Sequence, residues 1–208
     1  MKNRFLAFCL GFLTTFFTSG CSNAQPDVKA QQQNIAKKKI LIVYLSRTKN
    51  TKAVAEMIYK NVGGDLVELE VKNPYPADYK LMVEQISKEL NSGFLPLLKT
   101  KVNNIEGYDI VFIGFPTWSM QLPPPIKSFL KTYNLKRKTV VPFNTNAGYG
   151  IGSSFETVNE LSSGSKHLEG YSTKGGVERD NILYVMEGEK HIQVEKQLKD
   201  WLKKIELL

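Results

Sequence analysis

The chain has 208 residues, with 28 Lys and Arg against 20 Asp and Glu, and a formal net charge of +8. Its two cysteines, Cys9 and Cys21, both fall in the first 21 residues, and its two histidines, His167 and His191, lie apart with no carboxylate cluster beside them. Beyond residue 21 this excludes a disulfide, a Cys nucleophile and a thiol-ligated metal, and no metal site is read from the histidines.

Residues 1–21 read as a targeting segment. Lys2 and Arg4 form a basic start, residues 5–17 are mostly apolar, and Thr18, Ser19 and Gly20 precede Cys21. The apolar run is shorter than the roughly 20 residues a bilayer span needs. Ser19-Gly20-Cys21 resembles a bacterial lipobox, in which the Cys is lipidated, although Thr18 stands where an aliphatic is usual. The alternative is a plain secretory signal cut near Ala24. Residues 22–36 are rich in Gln, Asn and small residues, with little to bury, and read as a flexible tether. Residues 37–208 are one domain's worth of chain. Without Lys2 and Arg4 there remain 26 basic and 20 acidic residues, about +6.

Residues 40–45, Ile-Leu-Ile-Val-Tyr-Leu, show no alternation, so both faces of this strand should be buried, as in the centre of a parallel sheet. A polar loop, S-R-T-K-N-T at 46–51, follows. Val54, Ala55, Ile58 and Val62 then give a helical stripe. Strand, polar loop and helix start suit an anion, because the first N–H groups of the helix lack partners and its dipole favours negative charge. The other reading is a turn whose hydroxyls and amide only cap the helix.

Further elements alternate. Strands are expected at 66–71, 108–114, 139–143 and 166–173. Helices are expected at 77–90, with Leu81, Ile86 and Leu90 on one face, at 125–133, at 153–161 and at 189–205, where Ile192, Val194, Leu198, Trp201, Leu202 and Ile205 supply the apolar side. The fold class is therefore α/β: a three-layer, doubly wound, five-stranded parallel sheet, with right-handed crossovers that allow the order 2-1-3-4-5. Ligands in such sheets bind beyond the carboxyl ends of the strands.

Three loops should meet at that edge. The second, 114–125, reads G-F-P-T-W-S-M-Q-L-P-P-P and offers Trp118 and Met120; Trp118 either covers a flat heteroaromatic ring or packs on the next helix. The third, 143–154, reads F-N-T-N-A-G-Y-G-I-G-S-S, where Gly148, Gly150 and Gly152 permit close backbone approach and Tyr149 could stack. Plain turn chemistry or a flexible connection accounts for it equally. Tyr75 and Tyr79 fall near the same edge and read as loop anchors.

S-R-T-K-N-T after a buried first strand resembles the flavodoxin phosphate loop, T-x-T-G-x-T, with Ser46, Thr48 and Thr51 at its hydroxyl positions and Lys49 where Gly is usual. With N-P-Y-P-A-D-Y, G-F-P-T-W and F-N-T-N-A-G-Y-G, the chain from about residue 38 onward is similar to the flavodoxin family. That resemblance implies a flavodoxin-like fold and non-covalent FMN. It puts Ser46, Thr48, Asn50 and Thr51 at the phosphate and Arg47 and Lys49 as candidate neutralising charges. Pro116, Thr117 and Trp118, with Ser119 and Met120, fall along the ring edge, and Thr145, Asn146, Gly148, Tyr149 and Gly150 at the pyrimidine side. The expected function is electron transfer in the cell envelope, to an unidentified redox partner protein or small acceptor. Cys21 would attach the protein to the membrane, and no nucleic-acid partner is expected. The alternatives are an FMN-dependent NAD(P)H:quinone-type oxidoreductase and a binding module that keeps the fold without FMN.

Overall fold

The computed structural model describes residues 38–208. The expected leader, its Cys21 and the tether at 22–36 lie outside the described residues.

β1 (Ile40–Tyr44) is buried at every position. Its even and odd side chains enter different cores. Ile40, Ile42 and Tyr44 join one cluster with α1 (Asn50–Val62) and α5 (Gly188–Lys204). Leu41 and Val43 join the other with α2 (Tyr79–Ser92) and α3 (Pro124–Thr132). A strand covered by helices on both faces has no solvent side, which is why the run does not alternate.

The sheet runs β2 (Asp65–Glu68), β1, β3 (Ile110–Pro116), β4 (Thr139–Asn146), with every pair parallel. The expected fifth strand forms in two pieces, β5 (Lys166–His167) and β6 (Tyr171–Lys174), which pair with the two ends of β4. The break falls at Gly170, where a Cβ would run into the Phe155 ring of α4 (Ser154–Leu161). The order is thus 2-1-3-4-5, with the last position shared by β5 and β6.

Two helix faces differ from the expectation. On α2 the buried residues are Met82, Ile86 and Glu89, while Leu81 is exposed. On α5 Ile192 is exposed, and the face runs through Val194, Leu198, Trp201 and Leu202. Each misplaced residue lies in the first turns of its helix, at the rim of the sheet, where no opposing layer covers it. α2 starts at Tyr79, two residues later than expected, and is capped by Asp78, whose carboxylate accepts from the Leu81 N–H at 2.8 Å.

Candidate functional site

The loop between β1 and α1 turns on Lys49, which stands at φ 66 and ψ −5, the left-handed region. The path that Gly usually takes is therefore kept by a lysine, at a cost of about 1 kcal/mol or more. Ser46 Oγ accepts from the Lys52 N–H at 3.2 Å and closes the loop. Among the described residues, none of the backbone N–H groups of residues 47–51 finds a protein acceptor. Five adjacent donors at a helix start form an anion cradle.

The side chains of this loop are unequal. Thr48 Oγ1 receives one Asn50 Nδ2–H at 2.9 Å, which leaves its own O–H free to donate. Asn50 is 3% exposed. Its amide also donates to the Leu183 carbonyl at 2.6 Å and accepts from the Val185 N–H at 3.0 Å. Both donors are engaged, so Asn50 can reach an anion only through its main chain. Thr51 Oγ1 shares a hydrogen bond of 2.8 Å with Thr145 Oγ1, and both are buried. Arg47 pairs with Glu178 at 2.6 Å and donates to the Pro76 and Ala77 carbonyls at 2.9 and 2.7 Å.

After β3, residues 118–121 form a tight turn in which Trp118 and Gln121 exchange main-chain bonds at 3.3 and 2.9 Å. Its central residues, Ser119 and Met120, both have positive φ, 48 and 58. Such a turn favours Asn-Gly, so Ser-Met carries strain of the kind stored at ligand sites. The Met120 carbonyl accepts from Ser153 N–H at 3.1 Å. A Cβ at Gly152 would strike that same carbonyl, so only glycine allows the two loops to lock. Trp118 is 9% exposed and meets Tyr75 edge-on, with centroids 5.2 Å apart. The Tyr75 hydroxyl donates to the buried Glu89 carboxylate at 2.6 Å, and Gln85 donates to the other oxygen at 2.8 Å. Burial, then that carboxylate, pushes the Tyr75 hydroxyl far above its ordinary pKa.

In the third loop Asn146 Oδ1 accepts from the Gly148 and Gly150 N–H groups at 2.8 and 3.1 Å, and Thr117 Oγ1 donates to the Gly150 carbonyl at 3.1 Å. Tyr149 stands out at 66% exposure, its hydroxyl 3.4 Å from Arg179 Nη2.

These loops enclose a cleft of about 550 Å³. Of the expected residues, Arg47, Thr48, Asn50, Thr51, Pro116, Thr117, Trp118, Ser119, Met120, Thr145, Asn146, Tyr149 and Gly150 line it; Ser46, Lys49 and Gly148 do not. Two further walls complete it. One is the α2 face with Tyr79, Met82, Val83 and Ile86; the other is the first part, Gly175 to Arg179, of a strap that runs from Gly175 to Val185 between β6 and α5. In the sequence Tyr79 reads only as an anchor and Ile86 only as part of the apolar face of its helix, and nothing singles out the others. The paired glycines, Gly175-Gly176, were the signal available for the strap. A Cβ on Gly176 would strike the carbonyls of Ile182 and Leu183, so the strap folds back on itself there.

One end of the cleft is therefore polar and rich in free N–H groups, and the other is apolar and aromatic. It can hold an elongated ligand with an anionic head and a flat body.

A family model described as flavodoxin matches residues 39–188. The chain is 32% identical to a candidate flavoprotein from Bacteroides eggerthii, with a TM-score of 0.65, covering 81% of this chain and 98% of that one. It is 25% identical to another from Bacteroides uniformis, with a TM-score of 0.64 and coverage of 78% and 98%. It is 28% identical to a flavoprotein from Lactobacillus acidophilus solved in complex with FMN, with a TM-score of 0.59 and coverage of 70% and 98%. No curated protein matches the chain.

Proposed function

The chain belongs to the flavodoxin family, whose model spans residues 39–188, and on that premise we propose that it is an FMN-binding redox protein working by electron transfer in the bacterial cell envelope. The observation that carries this reading is the cradle of unpartnered N–H groups at residues 47–51, set at one end of a cleft with aromatic residues further along. The residues present fit FMN. The N–H groups of 47–51 and the Thr48 hydroxyl would take the phosphate, and the loop at 116–120 and the loop at 145–150 would flank the ring system. When bound, FMN supplies one- or two-electron redox chemistry, while the protein sets its position and surroundings.

The chain's own residues do three things. The cradle fixes a dianion without a paired lysine or arginine, through oriented dipoles. Asn50 and the Arg47–Glu178 pair tie the strap to the cradle, which keeps water from the ligand's flank. The Glu89–Tyr75–Trp118 chain holds the indole in one rotamer at the cleft wall.

A second reading has its own observation. The α2 wall is apolar, and Tyr79 and Val83 are part-exposed along it. That wall suits a small apolar acceptor, so an FMN-dependent NAD(P)H:quinone-type oxidoreductase is the competing function. Anaerobic mixing of the FMN-loaded protein with NADH or NADPH separates the two. A carrier stays oxidised and is reduced in two separated one-electron steps by a chemical reductant. Direct bleaching by the nicotinamide would replace the carrier with the enzyme.

The envelope location follows from the lipobox-like Ser19-Gly20-Cys21 and would require membrane attachment through Cys21. Metabolic labelling with palmitate should mark the wild type and not Cys21→Ser, which should become soluble with its FMN site intact. An unlabelled wild type would return the leader to a plain secretory signal.

A further inference from the structure

We propose that Asn144 is a positioning residue for the ring half of the ligand: through Thr117 and Asn146 it fixes the two loops beside the ring and decides which of their N–H groups stay free. The inference rests on the FMN reading above. It goes beyond that reading by assigning the ring's affinity and potential to a residue that does not itself line the cleft.

Asn144 lies in β4 at 0% exposure, in a strand whose other buried side chains include Val140, Val141 and Phe143. An amide in such a place is costly unless each of its polar atoms is paired. Here each one is. Nδ2 donates to the Phe115 carbonyl at 3.0 Å and to Thr117 Oγ1 at 2.9 Å. Oδ1 accepts from Asn146 Nδ2 and from Ser172 Oγ, both at 3.2 Å. The carboxamide is therefore filled and has nothing left for a ligand. It joins the carboxyl ends of β3, β4 and β6, and a buried network with every member satisfied holds one arrangement.

The network continues to the cleft. Thr117 passes its own proton to the Gly150 carbonyl at 3.1 Å. Asn146, held by Asn144 and by Ser172 Oγ at 3.1 Å, turns its Oδ1 to the Gly148 and Gly150 N–H groups. The Ala147 and Tyr149 N–H groups alternate with these and find no acceptor among the described residues, and both residues line the cleft. Asn146 thus sorts the donors of the third loop: those of the glycines serve the protein, and those of Ala147 and Tyr149 are left over. The pyrimidine half of a flavin gains negative charge on reduction, so donors fixed beside it favour the reduced form. Successive side chains of a strand point to opposite faces. The next residue, Thr145, accordingly meets Thr51 of the phosphate loop, so β4 supports the ring through Asn144 and the phosphate end through Thr145.

Amide hydrogen exchange on apo-protein should show Gly148 and Gly150 protected and Ala147 and Tyr149 open. Asn144→Ser should speed exchange at the two glycines about tenfold, the scale of one lost hydrogen bond, with the β1 amides unchanged. FMN and riboflavin should weaken by the same factor, about tenfold for the oxidised forms. The reduced forms should lose about tenfold more, a fall of about 30 mV in the two-electron midpoint potential. Asn146→Ala cuts the same link nearer the cleft and should reproduce both effects; it leaves the buried amide in place and keeps the test if Asn144→Ser does not fold. Where both fold, the double variant should lose no more than the worse single one, as expected of residues acting through one another. Unprotected glycines in the wild type, potentials unmoved in the variants, a loss confined to FMN, or additive losses would each overturn the inference. A wild type that binds neither flavin would instead overturn the FMN reading, with exchange at Gly148 and Gly150 still deciding whether the relay holds the loop.

Discussion

Lys49 is the residue where sequence and backbone are most in tension. A lysine at φ 66 carries left-handed strain that glycine does not. Replacing it by Gly relieves that strain and adds some chain entropy to the unfolded state. Lys49→Gly should raise stability by about 0.5–1 kcal/mol in urea unfolding, with FMN affinity nearly unchanged, since Lys49 does not line the cleft. Thr48 and Thr51 look alike in sequence and differ in the fold. Thr48→Ala removes a free donor and should weaken FMN by about 1–3 kcal/mol while sparing riboflavin. Thr51→Ala strips the buried Thr145 hydroxyl of its partner and should weaken both ligands through the fold. Isothermal titration with both ligands checks the pair. Tyr75 sets a pH limit. Its pKa is raised by burial and by Glu89, and Tyr108 is pushed up to about 12 by its bond to Asp65 and by burial. The unfolded chain releases these protons near pH 10 and the fold keeps them. Their contribution is thus fully present below pH 10 and lost as the pH rises above it, Tyr75 carrying more of it than the largely exposed Tyr108. Tyr75→Phe should flatten that slope in alkaline unfolding, and should cost about 1–3 kcal/mol at neutral pH by leaving Glu89 short of a donor.

At the scale of elements, the strap from Gly175 to Val185 decides how the cradle behaves. It is tied to the phosphate loop by Asn50 and by the Arg47–Glu178 pair. The Glu178 carboxylate lies in the cleft lining with the anion cradle, so it opposes a dianion and occupies the arginine that could assist one. Glu178→Gln should tighten FMN by roughly 1 kcal/mol, less at high salt, and leave riboflavin unchanged. Weaker FMN binding in that variant would mean the pair acts by holding the strap closed. The strap was not legible in the sequence. Residues 175–187 have neither strand nor helix period, and the partners of Asn50 lie 133 and 135 positions away. By contrast, the strap's neighbours β1 and α1 were legible, because burial on both faces and a helical stripe leave direct marks on residue order.

Across the whole molecule, the sheet order is one that the alternation of strand and helix allows, since right-handed crossovers leave few ways to stack five strands. The split of the last strand did not, because a steric clash at Gly170 is visible only once Phe155 is placed above it. The cleft's two loops after β3 and β4 were legible from Trp118 and the alternating glycines. Its α2 wall was not, because Met82, Val83 and Ile86 carry no mark that separates a cleft lining from core. What unites the molecule is that the end of the sheet with free N–H groups is also the end with the aromatic cleft. The direct test is a fluorescence titration of the apo-protein with FMN and, in parallel, with riboflavin. A phosphate held by the residue 47–51 cradle predicts quenching by FMN at micromolar or lower concentration and markedly weaker binding of riboflavin. Equal affinity for the two, or no binding of either, would contradict it.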